Sequence, residues 1–135
     1  MTNRLVLVIN GGSSSIKVAL RRENTAGAIF EAIAERLNTA QARLSTSDGL
    51  ERELSGADHL AALDALLPLV DTHLDQPLSA VGHRVVHGGE RFTSARQIDD
   101  EVIAGIQANA PLAPLHNPAN LEGIRVARKM LPDIP

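Results

Sequence analysis

The sequence has no cysteine, no tryptophan and no tyrosine, and Phe30 and Phe92 are its only phenylalanines. The missing thiols exclude disulfides and thiolate nucleophiles, without fixing the redox state of the compartment. With so few aromatic rings, Leu, Ile, Val and Ala must build the core, and stacking on bases is not available as a recognition device. No basic run exceeds a pair such as Arg21-Arg22, and the formal net charge is −3, which argues against nucleic acid as a partner. No apolar run approaches the roughly 18 residues of a membrane span. Arg4 is followed by only five apolar residues before Asn10, too few for a signal peptide. A cytoplasmic protein without a membrane partner is the expectation. Its 135 residues suffice for one domain with a core and not for two full lobes.

What is present begins at Leu5–Leu20, LVLVINGGSSSIKVAL. Two apolar runs, Leu5–Ile9 and Ile16–Leu20, flank Asn10-Gly11-Gly12-Ser13-Ser14-Ser15, the pattern of a β-hairpin. Glycines admit positive φ, so successive amides can converge on an oxyanion. Three serine hydroxyls add donors, Asn10 offers a neutral oxygen and Lys17 a positive charge. The stretch reads as a phosphate loop; a Gly/Ser turn that binds nothing is the plain alternative. Ile16 precedes Lys17 where the G-x-x-x-x-G-K-[ST] loop needs glycine, and no G-x-G-x-x-G occurs.

A turn at Glu23–Gly27 leads to a third strand over Ala28–Leu37. Ile29, Glu31, Ile33 and Glu35 share one face and Phe30, Ala32 and Ala34 the other, which predicts an outer or partly solvated strand rather than a central one. Ala42–Thr46 suits weak pairing at an edge. Ser55 is the expected N-cap of a helix over Ala57–Leu74, with Leu60, Leu63, Leu66, Leu67 and Val70 as its apolar stripe. Pro68 should kink or split that helix near Leu67. Ser79–His87 reads as a strand with Val81, His83, Val85 and His87 on one face and Gly82, Arg84 and Val86 on the other, ended by Gly88-Gly89. Asp99–Asn109 suits a short helix capped by Asp99, with Val102, Ile103 and Ile106 inward, and 110–116 a Pro-punctuated loop. Asn117-Pro118 then starts a helix to about Met130, carrying Leu121, Ile124, Ala127 and Leu131 on one face. Tight turns force the first strands antiparallel, and a helical crossover lets the later one pair parallel. The fold class is α/β, a mixed sheet with helices packed on it. Residues 132–135 stand where another crossover strand is due, so the expectation is a truncated lobe.

Arg84 lies on an apolar strand just before two glycines, where a ligand can approach closely. Its guanidinium suits a carboxylate or phosphate, and Val86 shares its face. An anion beside a small apolar patch describes a short carboxylic acid; an arginine paired with a structural glutamate is an equal alternative. His83 and His87 lie about 13 Å apart along a strand, too far for one metal ion, and read as packed residues. His116 suits either a site or the entry to its helix, and Asp99, Asp100 and Glu101 most simply serve a helix N-terminus. No paired-carboxylate, Ser-His-Asp or Cys-His arrangement emerges from the spacing.

Three motifs in order, VLVINGGSSSIK near the N-terminus, GHRVVHGGE at 82–90 and APLAPLHNPANL at 110–121, resemble the opening third of the acetate and propionate kinases of the acetokinase family. The likeness runs from Leu5 to about Met130 and is weak between 22 and 78. It implies an actin-like ATPase (ribonuclease H-like) lobe opened by a β-hairpin phosphate loop. It also implies reversible phosphoryl transfer between ATP and acetate, giving ADP and acetyl phosphate, with Mg²⁺ or Mn²⁺. Carried over by motif, Asn10 corresponds to the magnesium-site asparagine, Lys17 to the ATP-site lysine, and Ser13 and Ser15 to the phosphate-loop serines. Arg84 corresponds to the arginine that holds the carboxylate, and Val86 and Leu115 to apolar residues around the acetate methyl. Gly11 stands where alanine is usual and Val18 where an aromatic is common. By the same resemblance the catalytic aspartate, the second lobe and the surface of an expected homodimer fall beyond Pro135, so residues 1–135 alone should be inactive. A propionate or butyrate kinase relative, and a stand-alone module that binds phosphate or acyl phosphate without turnover, are the alternatives.

Overall fold

The computed structural model describes residues 4–83, 102–104, 107, 117–131 and 134. Six strands form one sheet: β1 (Leu5–Gly11), β2 (Ile16–Arg22), β3 (Phe30–Glu35), β4 (Arg43–Thr46), β5 (Glu51–Glu53) and β6 (Leu78–His83). Helix α1 (His59–Asp71) precedes β6, and α2 (Asn117–Met130) follows it. The sheet order is β5-β4-β3-β2-β1-β6. Tight turns make β1 through β5 an antiparallel meander, whereas β6, arriving after α1, pairs parallel to β1.

Period-two patterning gives the sheet two unlike faces. On one, Leu5, Leu7 and Ile9, then Ile16, Val18 and Leu20, then Phe30, Ala32 and Ala34, are buried with Leu44. Leu63, Leu66 and Val70 of α1 and Val126 and Ala127 of α2 complete this core. A second cluster joins Val102 to Leu121 and Ile124, so the inward side expected of the 99–109 segment is seen at Val102. The other face carries Val6, Val8, Asn10, Lys17, Glu31 and Ile33, all at least partly exposed.

Several expectations change. β3 is not an outer strand: β2 and β4 flank it, and β5 forms the far edge. Its mixed composition reflects one buried and one solvated face rather than a place at the rim. β5 itself, Glu51–Glu53, has three charged residues and no apolar pattern, and it is recruited only by pairing with β4. Ser55 does not cap α1. Asp58 does, its Oδ1 accepting from the Ala61 amide at 2.8 Å, while Gly56 holds a left-handed turn at φ 76° just before it.

Helix α1 runs unbroken through Pro68. Pro68 removes a donor to the Asp64 carbonyl, but both residues lie on the exposed side, where water replaces the lost bond. Leu60 drops out of the stripe at 37% exposed, and the buried set is His59, Ala62, Leu63, Leu66 and Val70. Helix α2 begins at Asn117, as Asn-Pro predicts, and buries Leu121, Ile124 and Ala127; Leu131 follows the helix and packs at the core margin.

Leu63 is fully buried whereas Leu60 is 37% exposed. Leu63→Ala should therefore lower the unfolding free energy by about 2–5 kcal/mol and Leu60→Ala by less than about 1 kcal/mol. Urea denaturation followed by circular dichroism checks this, and equal losses would return Leu60 to the stripe.

Candidate functional site

The β1–β2 hairpin places its polar turn at one end of the sheet. Pairing runs from Leu5↔Arg22 to Gly11↔Ile16, leaving Gly12–Ser15 as the turn. The Gly12 amide donates to the Ser15 carbonyl at 2.8 Å and closes it. Neither Gly11 nor Gly12 has a positive φ, so the expected left-handed amide nest is not how this loop is built. What glycine leaves at position 12 is room for the Ser15 hydroxyl: a Cβ there would lie 2.5 Å from Ser15 Oγ and displace that rotatable group. Gly123 of α2 packs against Gly11, where even an added Cβ would sit at ordinary contact distance, 3.7 Å from the Gly11 Cα. Val18 is fully buried on the core face, so its departure from an aromatic is a matter of packing.

The loop is anchored from behind by two elements. His59, the first residue of α1, places Nε2 2.6 Å from the Gly12 carbonyl. The Leu37 amide, in the β3–β4 connection, donates to the Ser14 carbonyl at 2.9 Å. Leu37 is buried between Arg36 and Asn38, both left-handed at φ 55° and 64°, a conformation that disfavours a residue such as arginine. Ser13 and Ser14 are exposed.

Asn10 and Lys17 are direct cross-strand partners, so both project from the open face beside the turn. Asn10 Oδ1 is buried and has no hydrogen-bond partner among the described residues. A buried carbonyl oxygen left unpaired is unfavourable, and its hard neutral oxygen suits a cation such as Mg²⁺. No cluster of three His, Cys, Asp or Glu that could hold a metal ion occurs among the described residues. Lys17 Nζ lies 3.0 Å from Glu31 Oε2, with both side chains nearly half exposed. Such a pair contributes little to stability and is readily exchanged for another anion.

Parallel pairing sets Gly82 beside Val8 and His83 beside Ile9. The described part of β6 therefore ends at the level of Ile9, one residue short of Asn10. His83 is mostly buried, which pushes its imidazole down to about 4. Arg84, Val86 and Leu115 lie outside the described residues, as do His87, His116, Gly88, Gly89 and Asp99–Glu101. Asn10, Ser13, Ser15 and Lys17 are thus brought together by one hairpin. His59 and Glu31 were not anticipated. His59 carries a readable signal, because it occupies a core position of the α1 stripe, four residues before Leu63. Elsewhere, a depression beside β4 and β5 is lined by Arg36, Arg43, Glu51 and Arg52; its charges are of mixed sign, with Arg43 paired to Glu51 at 3.0 Å.

Comparison with known proteins then decides the family. The profile described as the Acetokinase family matches residues 5–135. The chain belongs to the acetokinase family. Acetate kinase of Pseudomonas aeruginosa is 49% identical over 138 aligned residues, covering all of this chain and 35% of that protein. Acetate kinase of Thermotoga maritima is 48% identical, covering 96% and 34%. Among solved structures, a propionate kinase from Francisella tularensis superposes with a TM-score of 0.90 at 33% identity, covering the whole chain and 35% of that structure. Porphyromonas gingivalis acetate kinase gives 0.87 at 36%, covering 97% and 35%. The fold is the actin-like ATPase fold of these kinases. This acetokinase-family chain spans about a third of the length of the relatives it matches. No described helix is long and apolar enough to cross a membrane.

His83 should make stability pH-dependent. Unfolding restores its ordinary value of 6.5 from about 4, so between those values only the unfolded chain takes up the proton. Its contribution is complete above the unfolded value and is lost as pH falls toward 4. Wild type should lose on the order of 2–3 kcal/mol more than His83→Gln across that window, read from urea midpoints. Gly12→Ala should act differently. Its new methyl meets the end of a rotatable Ser15 side chain, so stability should change by under about 1 kcal/mol while the Ser15 hydroxyl leaves its rotamer, visible in its Cβ chemical shift.

Proposed function

We propose that this chain is the N-terminal lobe of a kinase that transfers a phosphoryl group reversibly between ATP and acetate, giving ADP and acetyl phosphate. The observation that carries the proposal is the hairpin of an acetokinase-family chain, with a polar turn beside Asn10 and Lys17 at one end of the sheet. Ser13 and Ser15, with the turn amides, are assigned to phosphate. Lys17 exchanges Glu31 for the ATP phosphates, its flexible stem allowing the swing. Arg84, next in the chain after His83, is assigned to the carboxylate, and Val86 and Leu115 to the apolar end of the acid. Asn10 Oδ1 would hold Mg²⁺, which when bound neutralises phosphate charge. Phosphoryl transfer asks chiefly for positioning and charge neutralisation, so a constellation of amides, hydroxyls and cations is the chemistry required.

Because the chain covers 35% of its relatives, we assign the catalytic aspartate, the second lobe and a dimer surface to the remainder of a longer cytoplasmic protein, and expect the chain alone to be inactive. A propionate-using enzyme is the second reading, favoured by the likeness to the Francisella tularensis propionate kinase.

The test joins residues 1–135 to the remaining part of Pseudomonas aeruginosa acetate kinase and traps the acyl phosphate as hydroxamate. The chimera should turn over acetate or propionate, their ratio giving the acyl preference, and the chain alone should not. Arg84→Ala in the chimera should lower kcat/KM by about 10²–10³-fold. An unchanged rate removes Arg84 from the site, activity in the isolated chain overturns the division of labour, and phosphate binding without turnover in a folded chimera favours the non-catalytic module.

A further inference from the structure

We propose that His59 is a positioning residue of the phosphate loop, holding the Gly12 carbonyl so that the Ser13 amide faces an arriving phosphate. The proposal rests on reading the hairpin turn as a phosphate loop. His59 is the only buried polar or charged residue among those described, at 8% exposed. It occupies a core position of α1 with Ala62, Leu63, Leu66 and Val70, where a leucine would bury without desolvating a polar ring. The gain that sets against this desolvation is its hydrogen bond. A carbonyl only accepts, so Nε2 carries the proton that it donates to Gly12 across 2.6 Å.

The consequence follows from the peptide plane. In a trans peptide the carbonyl of one residue and the amide of the next point in opposite directions, and no cis bond occurs in the described chain. Drawing the Gly12 carbonyl toward His59 turns the Ser13 N–H the other way, where Ser13 is exposed. The Leu37 amide does the same two residues on: it draws in the Ser14 carbonyl and turns the Ser15 N–H away from the protein body. Neither the Ser13 nor the Ser15 amide donates a hydrogen bond among the described residues. One helix and one strand connection thus preset two alternate amide donors, both on serines of the loop. Donors fixed before the ligand arrives need no reorganisation when it binds.

The test uses the ¹⁵N-labelled chain and inorganic phosphate as the probe, read by amide chemical shifts, with imidazole ¹⁵N shifts reporting the tautomer. Wild type should show a protonated Nε2 on His59 and saturable shifts at the Ser13 and Ser15 amides. His59→Leu should keep the core shifts but bind phosphate about tenfold more weakly, with the Ser13 response lost first. His59→Gln, whose amide nitrogen reaches a similar place, should recover most of the affinity, a rescue that a packing role alone would not give. If wild type shows no saturable shift at the loop, the phosphate-loop reading fails and the proposal with it. If wild type binds phosphate and a folded His59→Leu binds it equally well, the loop reading stands and the positioning role is overturned. Should His59→Leu not fold, the wild-type spectrum decides: an unprotonated Nε2 overturns the clamp, and a protonated Nε2 with the folded His59→Gln retaining loop binding supports it.

Discussion

Strand β1 is paired along both edges and packed on one face, and every other placement in the molecule is measured from it. Its antiparallel neighbour β2 is tied to it by the four-residue turn Gly12–Ser15, and its parallel neighbour β6 reaches it only after α1 has crossed the sheet. Leu5, Leu7 and Ile9 give β1 a dry side, and their burial under α1 and α2 leaves the strand no freedom to slip by one residue. A slip would carry the whole apolar row into water and Val6, Val8 and Asn10 into the core. The register that protects the core therefore also holds Asn10 opposite Lys17.

This arrangement separates the work of the two faces. The covered face is almost wholly aliphatic, as a chain so poor in aromatic residues requires, and it supplies rigidity. The open face and the end of the sheet collect the polar groups: Asn10 with its unpaired oxygen, Lys17 with a weakly held partner in Glu31, and the serine turn. Helix α2 packs beneath the same end, with Gly123 facing Gly11 and Ile9. His59 connects the two regions, since its ring lies among the core residues of α1 and its Nε2 reaches the turn.

Legibility in the sequence followed the strength of the local pattern. The hairpin was readable because alternating Leu, Val and Ile on both sides of a Gly/Ser turn admit few other structures, and α2 because Asn-Pro starts a helix and Leu121, Ile124 and Ala127 repeat at its period. β5 was not readable, since three charged residues have no strand preference of their own and extend only because β4 offers an unpaired edge. Pro68 does not break α1, although its residue type predicts a kink. Its effect depends on whether the orphaned carbonyl faces water or core, and that depends on how α1 is rotated on the sheet. Ser55 is an acceptable cap by residue type, but the left-handed turn at Gly56, bonded to the Thr39 carbonyl at 2.8 Å, delays the helix until Asp58 caps it.

The amino-acid sequence by itself determined the hairpin, the polar composition of its turn, the mixed order of strands and helices, and the motifs that carry the family resemblance. These rest on short-range preferences and residue spacing, which survive without knowledge of the neighbours. Tertiary structure alone decided how the turn is held. No glycine of the turn adopts a left-handed backbone, and the Ser15 hydroxyl rests in the space a side chain at Gly12 would take. The bonds from His59, 47 positions away in sequence from Gly12, and from Leu37 to Ser14 exist only once α1 and the β3–β4 connection have packed beside the loop. Contacts of that range depend on where whole elements come to rest, and no local pattern of residues encodes them.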